Sequence, residues 1–457
     1  MFAAILLLVL LPLLAYLYVH SRFASQRAAI LQSLSLPPST KILAFFHPYC
    51  NAGGGGERVL WAAIAYIQRT RPGLLSVVYT GDVDATKSEI LKKVESRFSI
   101  TLAPETLHFV FLKRRVLIED ATYPHFTLIG QSMGSVGLVL EAMSLLVPHA
   151  YIDTMGYAFT LPVVRLFGVP VGAYVHYPTV SPPMISRVQS TPKLIYYHAF
   201  MLLYALALRR ARVLMVNSTW TKKHVDAVLA YPGFGRWGIV RPLVVYPSCD
   251  NREMARLPLE GRERVVISIA QFRPEKDHAK QIRALHELLA EHPEHAEQGI
   301  KLVLIGGCRN AADEARVEVL RALARELSVD KYVQFELNAP YPDMLAWLRR
   351  ASVGLNTMLD EHFGINVVEF MAAGVIPIAH ASGGPLEDIV VPFQGEITGY
   401  HAITATEFAS QIHAALTLSS EEDLAIRQRA RAWAVQRFSE AEFEAAWEGS
   451  GWSKLVG

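Results

Sequence analysis

Short apolar runs recur along this chain, separated by stretches of helical length and spacing. One series is Ile42–Phe46, Leu75–Tyr79, Thr127–Ile129, Tyr151–Asp153, Gly172–Val175 and Val213–Val216. A second is Val265–Ile269, Lys301–Ile305, Val333–Phe335, Val353–Leu355 and Val375–Ala379. The runs do not alternate with polar residues, which suits strands buried on both faces of a sheet. Between them, His278–Leu289 and Asp313–Leu327 space their apolar residues as helices do. Strand and helix alternating twice over predict an α/β chain of two doubly wound domains with mainly parallel sheets. The rhythm breaks at Val245–Asn251, around Tyr246-Pro247-Ser248, so domains are predicted over 22–247 and 248–432.

Two segments depart from that rhythm. From Phe2 to Val19 the chain carries no charge, and as a helix it would reach roughly 27 Å, enough for a thin bilayer. No basic residue precedes it and no small-residue cleavage site closes it, so residues 1–21 are predicted to be an uncleaved membrane anchor rather than a signal peptide. Arg22 and Arg27 follow, which leaves the rest of the chain on the cytoplasmic side. The second segment, Leu194–Leu208, is almost wholly apolar, with Lys193 before it and Arg209, Arg210 and Arg212 after it. It is short for a span, and three placements stay open: a buried core helix, a helix lying in the membrane interface, or a second span.

Composition narrows the class. Of 457 residues, 51% are apolar and 19% charged, ample for two cores. The mean hydropathy of +0.23 also points to a membrane. Lys and Arg number 44 against 42 Asp and Glu, without the basic surplus that nucleic-acid binding needs. Cys50, Cys249 and Cys308 are too sparse for a disulfide framework and lack zinc spacing, which fits a reducing compartment. Asn217-Ser218-Thr219 spells a glycan acceptor, but it follows the run Val213–Val216 and reads as a strand end.

Four constellations carry chemistry. Glu361-His362-Phe363-Gly364-Ile365-Asn366-Val367-Val368-Glu369 follows a strand and opens a helix that ends near Gly374. Ligands bind there in doubly wound sheets, where helix N-termini present free N–H groups. Gly364 allows close approach of a diphosphate, and the two carboxylates are placed to reach a sugar and a ribose. Ala381-Ser382-Gly383-Gly384-Pro385 supplies a second turn at the end of the next strand. Cys50 to Arg58 holds Gly53, Gly54, Gly55 and Gly56 between a strand and a helix, suited to a phosphate or sugar or simply to a tight turn. Gln271-Phe272-Arg273-Pro274-Glu275-Lys276 offers a basic pair that could neutralise a leaving diphosphate, or plain surface charge. His176 closes the strand Gly172–Val175, where a lone histidine is more often structural than functional.

These motifs together resemble the retaining, Leloir-type glycosyltransferases of family 4, over the stretch from about Ile42 to the C-terminus. The resemblance implies two facing Rossmann-like domains of the GT-B type, the second holding the nucleotide sugar. It also implies a C-terminal helix over 433–457 that packs back towards the first domain. It assigns Glu361 to the donor sugar, Glu369 to the ribose, and Gly53 to Gly56 to the diphosphate. Phe363, Gly364 and Ile365 join the donor site, His176 lies beside the reacting sugar, and Lys276 with Arg273 holds the diphosphate without a metal or other cofactor. Where the family has Arg, five residues before the lysine, this chain has Gln271, which weakens the assignment of Arg273. The stretches Phe46–Leu60, Asp153–Thr160, Tyr174–Thr179, Gln271–Lys276 and Glu361–Gly374 also resemble the endoplasmic-reticulum alpha-1,2-mannosyltransferases of asparagine-linked glycosylation. That likeness implies GDP-mannose as donor and a dolichyl-diphosphate-linked trimannosyl-chitobiose as acceptor, receiving its fourth and fifth mannoses at the cytosolic face. It implies other mannosyltransferases of the pathway as partners, and no nucleic acid.

Two rival readings remain. A catalytically silent scaffold would bind lipid-linked sugar without transferring to it. Gly130-Gln131-Ser132-Met133-Gly134 matches the nucleophile elbow of a serine hydrolase, with Asp153 and His176 as triad partners crowded close behind. In the transferase reading Ser132 is instead a helix N-cap or, with Asp153 and Tyr177, part of an acceptor cleft. Asp82-Val83-Asp84 has the spelling of a cation site but the setting of a turn.

Overall fold

The computed structural model describes residues 21–180, 184–185, 188–230, 240–249, 251–308 and 310–457. The anchor expected over Phe2–Val19 lies outside the described residues. The chain forms two units. One comprises Met1–Val216, His224–Leu243 and Trp447–Gly457; the other comprises Asn217–Lys223 and Val244–Ala446. The division differs from a single cut at 247/248: the second unit starts at Val244, includes Asn217–Lys223, and yields Trp447–Gly457 to the first.

The first unit is built on strands β1 (Lys41–Phe46), β2 (Leu74–Thr80), β3 (Leu107–Phe111), β4 (Ala150–Asp153), β5 (Val171–Val175), β6 (Val213–Val216) and β7 (Leu243–Val244), in the order β3-β2-β1-β4-β5-β6-β7. Pairings from β3 across to β6 are all parallel. The second unit contains β8 (Glu263–Ile269), β9 (Lys301–Gly306), β10 (Val333–Leu337), β11 (Ala351–Asn356), β12 (Ile376–His380) and β13 (Tyr400–Ala402), ordered β10-β9-β8-β11-β12-β13 and parallel throughout. The order is the same in both. The chain works outward from the first strand, then returns to the other side of it. That reversal opens a crevice between β1 and β4, and another between β8 and β11, at the carboxyl ends of the strands.

The continuous apolar runs arise because both sheet faces are covered. On β8, Val266 joins the core beneath the helices His278–Glu291 and Ala405–Leu416, while Val265 and Ile267 face the helix Ile365–Ala373. Successive side chains alternate between two buried layers, so no polar alternation survives in the sequence.

Two expectations fail here. Thr127–Ile129 is not a strand but the start of a helix, Thr127–Leu145. The missing strand is Leu107–Phe111, whose run is broken by His108 and is therefore inconspicuous. The apparent nucleophile elbow falls inside that same helix, so Ser132 is neither an N-cap nor an exposed nucleophile; it is buried. The glycines have a packing cause. A Cβ on Gly134 would stand 1.7 Å from the Leu117 carbonyl oxygen, and one on Gly130 would stand 2.4 Å from the Tyr123 ring. Leu194–Leu208 belongs to the helix Thr191–Leu208, with Phe200, Met201 and Tyr204 buried and Ile195, Leu203 and Leu206 exposed.

The Ile365–Ala373 helix is fixed from behind by Arg427 on the helix Ser420–Arg437, an arginine only 2% exposed. Its guanidinium reaches both Asp423 carboxylate oxygens at 2.6 and 2.7 Å, the Ser352 carbonyl at 3.0 Å and the Gly374 carbonyl at 2.7 Å. Arg427→Ala strands these acceptors, and we expect it to cost about 3 kcal/mol of stability, read as a lowered midpoint in urea unfolding.

Candidate active site

The crevice between β8 and β11 gathers the second-unit motifs. Past β8 the chain forms a short turn, Pro274–Lys276, then Asp277 in the left-handed region (φ 47°) capping the helix His278–Glu291. Past β11, Thr357 Oγ1 lies 2.9 and 3.1 Å from the Lys276 and Asp277 carbonyls and accepts from Gln281 Nε2 at 2.9 Å. This staple places Lys276 Nζ 2.5 Å from Glu361 Oε2 and 3.1 Å from Met358 Sδ. Asn356 Nδ2 stands 3.5 Å from the same Glu361 oxygen and donates to Asn366 Oδ1 at 3.0 Å, while Asn366 Nδ2 donates to the Ile269 carbonyl at 3.1 Å. Burial works to raise the Glu361 carboxyl, but the charge and hydrogen bond of Lys276 outweigh it and hold the group below the usual carboxylate range.

The loop carrying Glu361 is clamped by the loop after β12. Gly384 N donates to the Glu361 carbonyl at 2.8 Å, and Asp360 N to Ser382 Oγ at 2.7 Å. The approach is so close that a Cβ on Gly383 would meet the Glu361 carbonyl at 2.2 Å. Gly364 then turns the chain into the helix with φ 109°, which favours glycine, and no side chain caps it. The first-turn N–H groups of that helix suit an anion. Glu369 sits half-buried within the helix, as does Ile365 at its start. The Phe363 side chain belongs to the core, with ring centroids 5.7 Å from Tyr246 and 5.5 Å from Phe438, so only its backbone borders the loop. Arg273 stays half-exposed, 3.8 Å from Glu275 and on the other side of the turn's sequence from Lys276.

In the first unit the glycine-rich turn and His176 meet. The helix Gly55–Thr70 begins with Gly54 as its N-cap, and Glu57 accepts from Gly54 N. Asn51 N donates to Asp82 Oδ2 at 2.9 Å, and Arg115 pairs with the same aspartate, which is how the Asp82–Asp84 turn is employed. His176 Nε2 donates to the Thr154 carbonyl at 3.1 Å. A Cβ on Gly56 would come within 3.4 Å of that nitrogen. Ser132 lines a small cleft with Gly156, Tyr157 and Thr179. Asp153 is fully buried, its Oδ1 accepting from the N–H groups of Met155, Gly156 and Tyr157, and burial pushes its carboxyl up to about 6. Tyr177 packs its ring 6.2 Å from His224. Asp153 and His176 are thus engaged by backbone groups, not by Ser132, and the hydrolase triad is not formed.

His292, Glu294 and His413 could converge on a cation among the described residues. The hydrogen-bond order opposes it. Arg264 can only donate, so His295 accepts at Nδ1 (2.7 Å) and donates from Nε2 to His413 Nδ1 at 3.0 Å. The remaining His413 nitrogen then carries the proton and offers no lone pair. Burial and the Arg264 charge hold His295 down at about 4, in keeping with a neutral ring.

Sequence reasoning missed Asn356, Thr357, Asn366, His47, Glu57 and Thr154. All but Glu57 and Asn366 immediately end or follow a strand, which was the available signal.

Two units with this strand order, and charged and glycine-rich loops at their crevices, define a glycosyltransferase of the GT-B class. Solved structures share the fold: Anabaena HepE in complex with UDP and glucose (TM-score 0.60, 18% identity, 89% of this chain and 97% of that one) and apo OtsA (TM-score 0.66, 14% identity, 91% and 99%). Residues 40–229 match the family model of the ALG11 mannosyltransferase N-terminus, and 250–433 that of glycosyl transferases group 1. The human GDP-Man:Man(3)GlcNAc(2)-PP-Dol alpha-1,2-mannosyltransferase is 46% identical over 88% of this chain and 85% of its own length, and the Caenorhabditis elegans protein of that name is 41% identical over 89% and 90%. The chain belongs to this mannosyltransferase family.

The Lys276–Glu361 pair sets a pH dependence. A carboxyl lowered by folding contributes stability above its unfolded pKa, about 4.3, and loses it as pH falls through the lower folded value. Lys276→Met removes the largest opposition to burial, leaving His362 and Asn356, and should raise Glu361 from its wild-type value. The Tm gap between wild type and this variant is therefore expected to be constant from pH 6 to 8 and to close in acid.

Proposed function

We propose that this chain is a membrane-bound, retaining transferase that adds alpha-1,2-linked mannose from GDP-mannose to dolichyl-diphosphate-linked trimannosyl-chitobiose, supplying the fourth and fifth mannoses. The observation that carries the reading is the Lys276–Glu361 pair in the β8/β11 crevice of a chain so similar to enzymes of that name. In the proposed mechanism Glu361 accepts hydroxyls of the donor sugar and Glu369 those of the ribose. The diphosphate lies against the N–H groups after Gly364. Lys276, held within reach by Glu361, gives its charge to the phosphate as the glycosidic bond breaks, with Arg273 as a lesser contributor. The acceptor oxygen bonds to the anomeric carbon on the face the phosphate leaves, its hydroxyl proton passing to the departing diphosphate oxygen, so configuration is retained, and His176 is assigned to this chemical step. The positive charge comes from side chains, and no divalent cation is required.

The membrane setting rests on the first unit. The helix over 21–33 packs there, with Gln26 and Arg27 donating to the Ser144, Val147 and Pro148 carbonyls and Phe23 5.7 Å from Phe167. Phe126, Ile129, Met133 and Leu140 form an exposed apolar stripe along Thr127–Leu145, and Ile195, Leu203 and Leu206 another along Thr191–Leu208. The two meet where Ile129 N donates to Tyr196 Oη at 3.2 Å. Thr127–Leu145 is long and apolar enough to cross a membrane, yet Leu138, Val139, Ala142 and Met143 are buried in the unit. We read both helices as lying on the cytosolic leaflet of the endoplasmic reticulum, with the N-terminal segment as single anchor.

Purified protein given radiolabelled GDP-mannose and the lipid-linked trimannosyl acceptor in EDTA should yield products larger by one and two hexoses, removable by alpha-1,2-mannosidase. Lys276→Ala should lower kcat about 10²- to 10³-fold, and Glu361→Ala should abolish product. Donor binding without transfer would instead favour a silent scaffold. For the membrane face, Met133→Glu with Leu140→Glu should raise the KM for acceptor in vesicles about tenfold and leave that for a short-chain soluble analogue unchanged.

A further inference from the structure

We propose that His47 and Glu57 are positioning residues that hold the glycine-rich turn and His176 in a single register. This rests on the transferase reading above. Three strand ends converge in the β1/β4 crevice: His47 follows β1, Thr154 follows β4 and His176 follows β5. Thr154 Oγ1 stands 2.8 Å from His47 Nδ1, in hydrogen-bond contact, and 3.3 Å from the Phe46 carbonyl. The other side of the imidazole, Nε2, stands 3.4 Å from Glu57 Oε1. The second Glu57 oxygen accepts from Gly54 N, the N-cap of the helix that the turn opens. Burial works to raise Glu57, but hydrogen bonds from His47 and Gly54 hold it below the usual carboxylate range.

The contacts close on themselves. His47 reaches the turn through Glu57 and reaches His176 through Thr154, whose carbonyl accepts from His176 Nε2 at 3.1 Å. The turn and His176 face each other at Gly56, where an added Cβ would stand 3.4 Å from Nε2. His47 and Thr154 are fully buried and Glu57 is 7% exposed, so none of the three is placed to bind substrate. Each of their polar groups is instead spent on the two elements assigned to the diphosphate and to the chemical step. Displacing either arm of His47 should therefore disturb one kinetic constant more than the other.

Two isosteric arms separate these effects. His47→Asn keeps an N–H near Nδ1 for Thr154 and gives up Glu57; His47→Gln does the reverse. In steady-state assays His47→Asn and Glu57→Gln should raise the KM for GDP-mannose about tenfold with kcat little changed. His47→Gln should lower kcat about tenfold at near-constant KM, and add little to His176→Ala in the double variant. Parallel changes in both constants, full additivity with His176→Ala, or a lowered Tm with unchanged kinetics would overturn the proposal. Should His47 variants fail to fold, Glu57→Gln alone decides: an unaltered KM refutes it. A His176→Ala enzyme with normal kcat would instead count against the role given to His176, so the two failures are told apart.

Discussion

The second unit's loops are organised around one half-buried charge pair. Taking an ammonium and a carboxylate out of water costs several kcal/mol per ion, and their attraction repays this only with supporting hydrogen bonds. Around Lys276 and Glu361 the support is explicit: Thr357 staples the lysine's turn, Asn356 and Asn366 reach from strand end and helix start, and Gly384 N holds the Glu361 carbonyl. Backbone strain gathers at the same place. Asp277 and Asp360, both non-glycine, adopt φ of 47° and 55°, which costs about 1–2 kcal/mol each. A fold gains little stability from such an arrangement. It gains two opposite charges fixed at known positions, which in the proposed mechanism exchange each other for a sugar hydroxyl and a phosphate.

How much of this the sequence disclosed follows from what each residue does locally. The strands were legible wherever both sheet faces are covered, because burial on both sides leaves continuous Val, Ile and Leu. Leu107–Phe111 escaped because His108 interrupts it, and Thr127–Ile129 misled because three apolar residues cannot declare their period. Glu361, Gly364 and Glu369 were legible as a motif because they share one loop and helix. Asn356 and Thr357 were not, since each is an ordinary polar residue whose role exists only where β11 ends beside Lys276. The division into units was legible as a break near Val245; the exchange of Asn217–Lys223 and Trp447–Gly457 was not, because it depends on contacts far apart in sequence.

The nucleophile-elbow spelling shows how a motif can match for an unrelated reason. Small residues at both ends of Gly130–Gly134 are what a hydrolase needs to expose a serine, and equally what a helix needs to lie against the Leu117 carbonyl and the Tyr123 ring. Only the preceding backbone distinguishes them, and a helix that begins at Thr127 already carries Ser132 into its second turn. The apolar helix Thr191–Leu208 was ambiguous for a related reason. It is apolar all round, so its sequence names no buried face; Phe200, Met201 and Tyr204 are inside because Phe159 packs against two of them.

One topology thus appears twice with different chemistry at the same crevice. In the second unit the groups facing it are charged and partly open, Lys276 and Glu361 being 24% and 13% exposed in their side chains, as suits the exchange of partners proposed for them. In the first unit His47, Thr154 and Glu57 are nearly sealed and satisfied by one another. A sealed network is costly to leave half-made, because each lost partner exposes a buried polar group. It is therefore suited to setting geometry rather than to binding. The same strand order serves both tasks since it fixes only where the loops emerge; whether a crevice binds or braces depends on the residue that ends each strand.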